Sequence, residues 1–125
     1  MGMISEKGRP FTVEIHKYFN KELEKLITIH SLGDDFKTWL EASIKQLCDF
    51  GYQICCNQYG DKFRQILGGD NKGLYRIKSK KALGNIRVIF TIKDSKYILL
   101  HIFVRKGEES YNRALRLANN RKKEV

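Results

Sequence analysis

The stretch LYRIKSKKALGNIRVIFTIKDSKYILLHIFVR, Leu74–Arg105, decides the fold. Apolar and polar residues alternate at a period of two over Leu74–Ser79, Asn85–Lys93 and Lys96–Arg105, which predicts three strands. Asp94-Ser95 reads as a tight hairpin turn between the last two. On strict alternation one side collects Tyr75, Ile77, Ile86, Val88, Phe90, Ile92, Ile98, Leu100, Ile102 and Val104, an apolar set that calls for helices against it. The opposite side collects Arg76, Lys78, Arg87, Ile89, Thr91, Tyr97, Leu99, His101, Phe103 and Arg105, and is basic with aromatic rings interleaved.

Upstream, the turn cluster Gly68-Gly69-Asp70-Asn71-Lys72-Gly73 marks a change of texture. Before it, Phe11–Ile15 alternates like a short strand. Phe19, Leu23, Leu26 and Ile27 then recur at helical spacing behind an Asn20 cap, until Ser31–Asp35 breaks the pattern. A second helix is predicted from Asp34-Asp35, with Phe36, Trp39, Leu40, Ile44 and Leu47 on one stripe and Gly51 just past its end. Downstream, Glu108 to Lys122 predicts a third helix, acidic in its first turn and basic in its last, with Tyr111, Leu115 and Ala118 on one face. The order β-α-α-β-β-β-α defines an α+β class. We expect a small, largely antiparallel sheet covered on one face by the two N-terminal helices, with a C-terminal helix. Residues 1–125 read as a single domain whose first ten residues form a loose segment.

At 125 residues the chain is long enough for one hydrophobic core and too short for two, which excludes two-domain enzymes. Its net charge of +10 is unevenly spread. Residues 1–72 carry ten basic and ten acidic side chains, whereas residues 73–125 carry fourteen basic and four acidic ones. A surplus confined to one segment is the footprint of a polyanion-binding surface. No apolar run approaches a membrane span, and the N-terminus lacks the apolar core of an export signal and the signal for myristoylation. Cys48, Cys55 and Cys56 make no C-x-x-C spacing and read as packing thiols. A cytoplasmic location with no membrane partner is expected.

The chemistry follows by elimination. Metal-assisted phosphodiester cleavage needs clustered carboxylates, and the basic half offers only Asp94, Glu108, Glu109 and Glu124, so no metal site and no cofactor are expected. RNA carries its own nucleophile in the 2′-hydroxyl. A cleft then needs a base for that proton, cations for the pentacoordinate phosphoryl group and an acid for the leaving oxygen. Arg87 and Arg105 are candidates for the cationic clamp, and His101, Lys78 or Tyr111 for proton transfer. A lone histidine in an apolar strand is also a common hydrogen-bonded core residue, and Tyr111 lies on the packing stripe of its helix.

Read as L-Y-R-I-K-S, then I-R-V-I-F, then I-L-L-H-x-F-x-x-K, then Y-x-x-A, Leu74 to Ala114 resembles the RelE/HigB toxin superfamily, especially its phage-derived HigB-like branch. The predicted element order matches as well. Ile102 stands where that branch has glycine, and Gly107-Glu108-Glu109-Ser110 replaces its Lys-Lys-Thr continuation. The resemblance implies the toxin of a toxin-antitoxin pair, a metal-independent endoribonuclease acting on mRNA at the ribosome and silenced by a cognate antitoxin. It implies that Arg76, Arg87, Arg105 with Lys106, and Tyr111 contact and cleave mRNA, and His101 matches the histidine of its L-L-H-x-F run. With the chemistry above, the expected catalytic residues are Arg87, His101, Tyr111 and Lys78, and the expected RNA-binding residues are Arg76, Lys80, Lys81, Arg105 and Lys106. Two other readings share the fold and the charge: a ParE-like toxin acting on DNA gyrase, and an RNA-binding module without catalysis.

Overall fold

A computed structural model describes residues 2–3, 10–55, 61–80 and 83–125 of the chain. The elements are β1 (Gly2–Met3), β2 (Thr12–Ile15), α1 (Phe19–His30), α2 (Asp34–Phe50), β3 (Phe63–Gln65), β4 (Leu74–Lys78), β5 (Ile86–Lys93), β6 (Lys96–Val104) and α3 (Glu108–Glu124). The strands form one sheet in the order β1-β2-β6-β5-β4-β3. Only β2 and β6 run parallel; the other neighbours are antiparallel. The α+β class and the helix cover are as expected. Two short strands went unread: β3, three residues beside β4, and β1, the described part of the segment expected to be loose.

The helices start and stop for local reasons. α1 begins at Phe19 with Tyr18 at the N-cap, two residues earlier than an Asn20 cap would give. Asp34 and Asp35 sit in the first turn of α2, where the positive end of the helix dipole favours them. Gly51 closes α2 with φ +58°, and a Cβ there would lie 2.6 Å from the Tyr97 hydroxyl and 2.9 Å from the Phe11 ring, so only glycine fits. In the β5–β6 hairpin Asp94 and Ser95 both have positive φ, the signature of a type I′ turn.

Strict alternation fails in β6. Ile89 pairs with His101 but Phe90 pairs with Leu99, so Leu100 is an extra residue, a β-bulge that reverses the phase of the strand. Tyr97 and Leu99 therefore join Val88, Phe90 and Ile102 in the core under α1 and α2, while Ile98 and Leu100 point the other way. The expected faces were right for His101 to Val104 and inverted for Tyr97 to Leu100.

The second face is also not an open basic surface. Ile66, Leu74, Ile89, Ile98 and Leu100 pack there against Ala114, Leu115 and Ala118 of α3. Two alanines let the helix approach the sheet closely, and the cations are displaced to its flanks. No described helix is long and apolar enough to cross a membrane.

Candidate nucleic-acid interface

A groove of about 830 Å³ runs from the first turns of α3 to the edge strand β3, and its lining includes Arg76, Arg105, Tyr111, Asp61, Arg64 and Glu108. The β3–β4 register sets Arg64 opposite Arg76, so two guanidinium groups leave neighbouring strands together. Asp61, just before β3, lies among them. Arg76 donates through Nη1 to the Asp61 carbonyl at 2.8 Å and through Nη2 to its carboxylate at 2.9 Å. Lys78 Nζ donates to the other carboxylate oxygen, Oδ2, at 2.9 Å, and Arg64 Nε lies 3.3 Å from Oδ1, the oxygen that Arg76 engages. Hydrogen bonds from Lys78 and Arg76 hold the Asp61 carboxyl well below the usual carboxylate range.

Asp61 was not read as a site residue, because it comes from the electrically neutral half of the chain. It qualifies the expectation that the site face lacks carboxylates. Among the described residues, however, no group of three or more His, Cys, Asp or Glu side chains is arranged to hold a metal ion.

Arg87 lies on β5, registered between Lys78 and Phe103, in the sheet between the strands that deliver Arg76 and Arg105. It is only 5% exposed and lies behind the groove wall rather than on its lining. Nη1 donates to Asn85 Oδ1 at 2.9 Å and to the Ile86 carbonyl at 3.3 Å, but Nε has no hydrogen-bond partner among the described residues. Burial first, then repulsion from Arg76 and Arg105, pulls its pKa down. A guanidinium stays charged regardless, so this cost is carried by the folded state.

Asn85 is a second residue that sequence reading missed. At φ +55°, a backbone state that asparagine tolerates, it holds Arg87 with Oδ1 and donates through Nδ2 to the Arg105 carbonyl at 2.8 Å. Its position after Gly84 in a turn was the available signal.

Arg105 follows β6 and stacks its guanidinium 4.2 Å from the centroid of the Tyr111 ring. Among the described residues it pairs with Glu108, itself 87% exposed, at 3.5 Å, an exposed contact that holds the guanidinium only weakly. Tyr111 is half-buried against Phe103 and lines the groove. Lys106 is exposed, and its backbone N–H donates to Ser110 Oγ. Lys80 is exposed beside Lys78, on a smaller cavity shared with Trp39. Lys81 lies outside the described residues.

His101 is held apart from this cluster. The α3 flank carrying Glu108, Tyr111, Asn112 and Leu115 borders the large groove, whereas the flank carrying Ser110, Arg113, Ala114 and Leu117 borders a small cavity that contains His101. Its Nδ1 lies 2.9 Å from Glu22 Oε1 of α1, and its ring stacks on Phe103. Arg121 grips the same carboxylate at 2.7 and 2.8 Å. The expected single face thus divides in two, with Arg76, Lys78, Arg87, Arg105 and Tyr111 on one side of α3 and His101 on the other.

A different cavity, about 540 Å³ between the α1–α2 turn and the β4–β5 loop, presents Asp34 and Asp35 and, among the described residues, no lysine or arginine to meet a phosphodiester.

In comparisons with known proteins, no curated protein matches the chain. A solved structure, that of the conserved hypothetical protein HP0894 from Helicobacter pylori, is 22% identical, with a TM-score of 0.42, covering 72% of this chain and 89% of that one. The family described as phage-derived protein Gp49-like (DUF891) matches residues 37–123, from α2 through α3 and therefore every side chain of the groove, and the chain belongs to that family.

Proposed function

We propose that the protein is the toxin of a toxin-antitoxin pair, an endoribonuclease that cleaves mRNA on the ribosome without a metal ion. Membership of the Gp49-like family, which is associated with toxin-antitoxin systems, supports the toxin role. One observation carries the chemistry: Arg76 and Arg105 line one groove, and the buried Arg87 sits behind its wall on the strand between those that deliver them, near enough for the three cations to repel one another. A phosphodiester, and still more its pentacoordinate dianion, offsets that repulsion where water does not.

In this reading the 2′-oxygen attacks the adjacent phosphorus and yields its proton to a base. The bond to the 5′-oxygen breaks, and that oxygen takes up a proton, leaving a 2′,3′-cyclic phosphate and a 5′-hydroxyl. Arg76 and Arg105 hold the phosphoryl oxygens, and Arg87 reinforces the field from behind. The Tyr111 hydroxyl and Lys78 are the proton-transfer candidates on this side of α3. His101, engaged by Glu22 across the helix, acts on the fold rather than on the phosphate. Lys80, after β4, and Lys106, after β6, add exposed positive charge beyond the ends of their strands, and the antitoxin silences the protein by covering the groove. The site is that of a cytoplasmic enzyme.

Inducing the protein in bacteria tests this directly. We expect growth arrest with new 5′ ends in translated mRNA, both suppressed by Arg105→Ala and by co-expression of the protein encoded beside it. Arrest with intact mRNA and inhibited gyrase would overturn the nuclease reading.

A further inference from the structure

We propose that Tyr52 and Leu67, beside the edge strand β3, form a subsite that stacks an unpaired nucleobase next to the phosphate grip, which rests on the ribonuclease reading above. Both line the same groove as Arg76 and Arg105. Tyr52 is 49% exposed and Leu67 81% exposed, an unusual placement for large apolar side chains flanked by cations.

The Tyr52 ring is preorganised. Its backbone N–H donates to the Tyr97 hydroxyl at 2.8 Å, and Tyr75 braces the ring at a right angle, 5.9 Å between centroids. Gln65 and Asn112 line the groove too, are exposed, and make no side-chain hydrogen bond among the described residues, so their amides are free to meet base edges. Gln65 registers with Tyr75 one strand away from the strand carrying Arg76. Tyr52 packs on Tyr75, the residue directly before Arg76 on β4, and Tyr52 and Arg76 line one groove, which is the placement that a base on Tyr52 and a phosphate on Arg76 require.

The chemistry fits a single strand. Aromatic and apolar side chains take the face of a base, and that face is available only where the base is neither paired nor stacked in a duplex. Every base has such a face, so the subsite confers grip on single-stranded RNA, with the amides adding preference.

The test compares binding of a short 2′-O-methyl oligouridylate, which cannot be cleaved, with an abasic strand of the same length. Wild type is expected to bind the base-bearing strand about tenfold more tightly. Tyr52→Ala should remove most of that preference without changing affinity for the abasic strand, while Tyr52→Trp keeps it. Equal affinity of wild type for the two strands, or an equal loss on both with Tyr52→Ala, would overturn the subsite and leave the ribonuclease reading standing. Binding of neither strand would likewise overturn the subsite, whereas the ribonuclease reading stands or falls on the mapping of new 5′ ends in translated mRNA.

Discussion

Arg87 is a charge that the fold tolerates rather than uses. Its Nε has no partner among the described residues, and its neighbours Arg76 and Arg105 repel it. Replacing a poorly compensated buried charge by an apolar side chain of similar length commonly stabilises a protein, and sites kept for function are where such costs persist. Arg87→Met is therefore expected to gain about 1 kcal/mol of stability, read as a higher melting temperature. It is also expected to lose cleavage. A guanidinium acting at one remove, over roughly 12 Å and an effective dielectric near 20, stabilises the one negative charge gained on reaching the transition state by about 1.4 kcal/mol, roughly tenfold in rate. A variant that melts lower than wild type and cleaves at the wild-type rate would contradict both halves of this account.

Between elements, Glu22 of α1 joins His101 of β6 to Arg121 of α3, and Arg121 also donates to the Leu100 carbonyl at 2.8 Å. Leu100 is the bulged residue, so the clip satisfies an acceptor beside the irregularity that rephases the strand. Burial alone pulls the Glu22 carboxyl upward, but hydrogen bonds and charge from His101 and Arg121 outweigh it and hold the pKa below its ordinary 4.5. A carboxyl depressed on folding contributes its full stability above that ordinary value and loses it as the pH falls through the folded-state value. Glu22→Gln should cost about 2 kcal/mol at neutral pH, and its stability should decline less than that of wild type below about pH 4.5. Urea unfolding across that range measures both, and parallel curves would show that the clip carries no titrating stabilisation. The strands and helices on either side of the clip were legible from period and turn residues, since Leu74–Lys78, Ile86–Lys93 and Lys96–Val104 each announce themselves. The bulge was not, because an extra residue is defined by the partner strand. β3 was too short for periodicity to register.

Over the whole molecule, the two halves that composition distinguishes are interleaved rather than separate. The basic half supplies Arg76, Arg87, Arg105 and Tyr111, while the neutral half returns single acids to them: Asp61 to the groove and Glu22 to the clip. Counting charge along the chain pointed to the half that supplies Arg76 and Arg105 to the groove, but such long-range pairs are set by topology and leave no local signal, so His101 was grouped with cations that lie across α3 from it. The helix stripe of Leu115 and Ala118 was readable, whereas the sheet face it covers was not. What remains is a groove rich in cations with isolated carboxylates, and the proposed function requires of it that cleavage proceed through the RNA's own 2′-hydroxyl. End-group analysis of RNA cut by the protein in EDTA, with ribosomes supplied where free RNA resists, tests this most directly. The account predicts undiminished cleavage and 2′,3′-cyclic or 3′-phosphate ends opposite 5′-hydroxyls. A 3′-hydroxyl product, or activity that returns only with Mg²⁺, would contradict it.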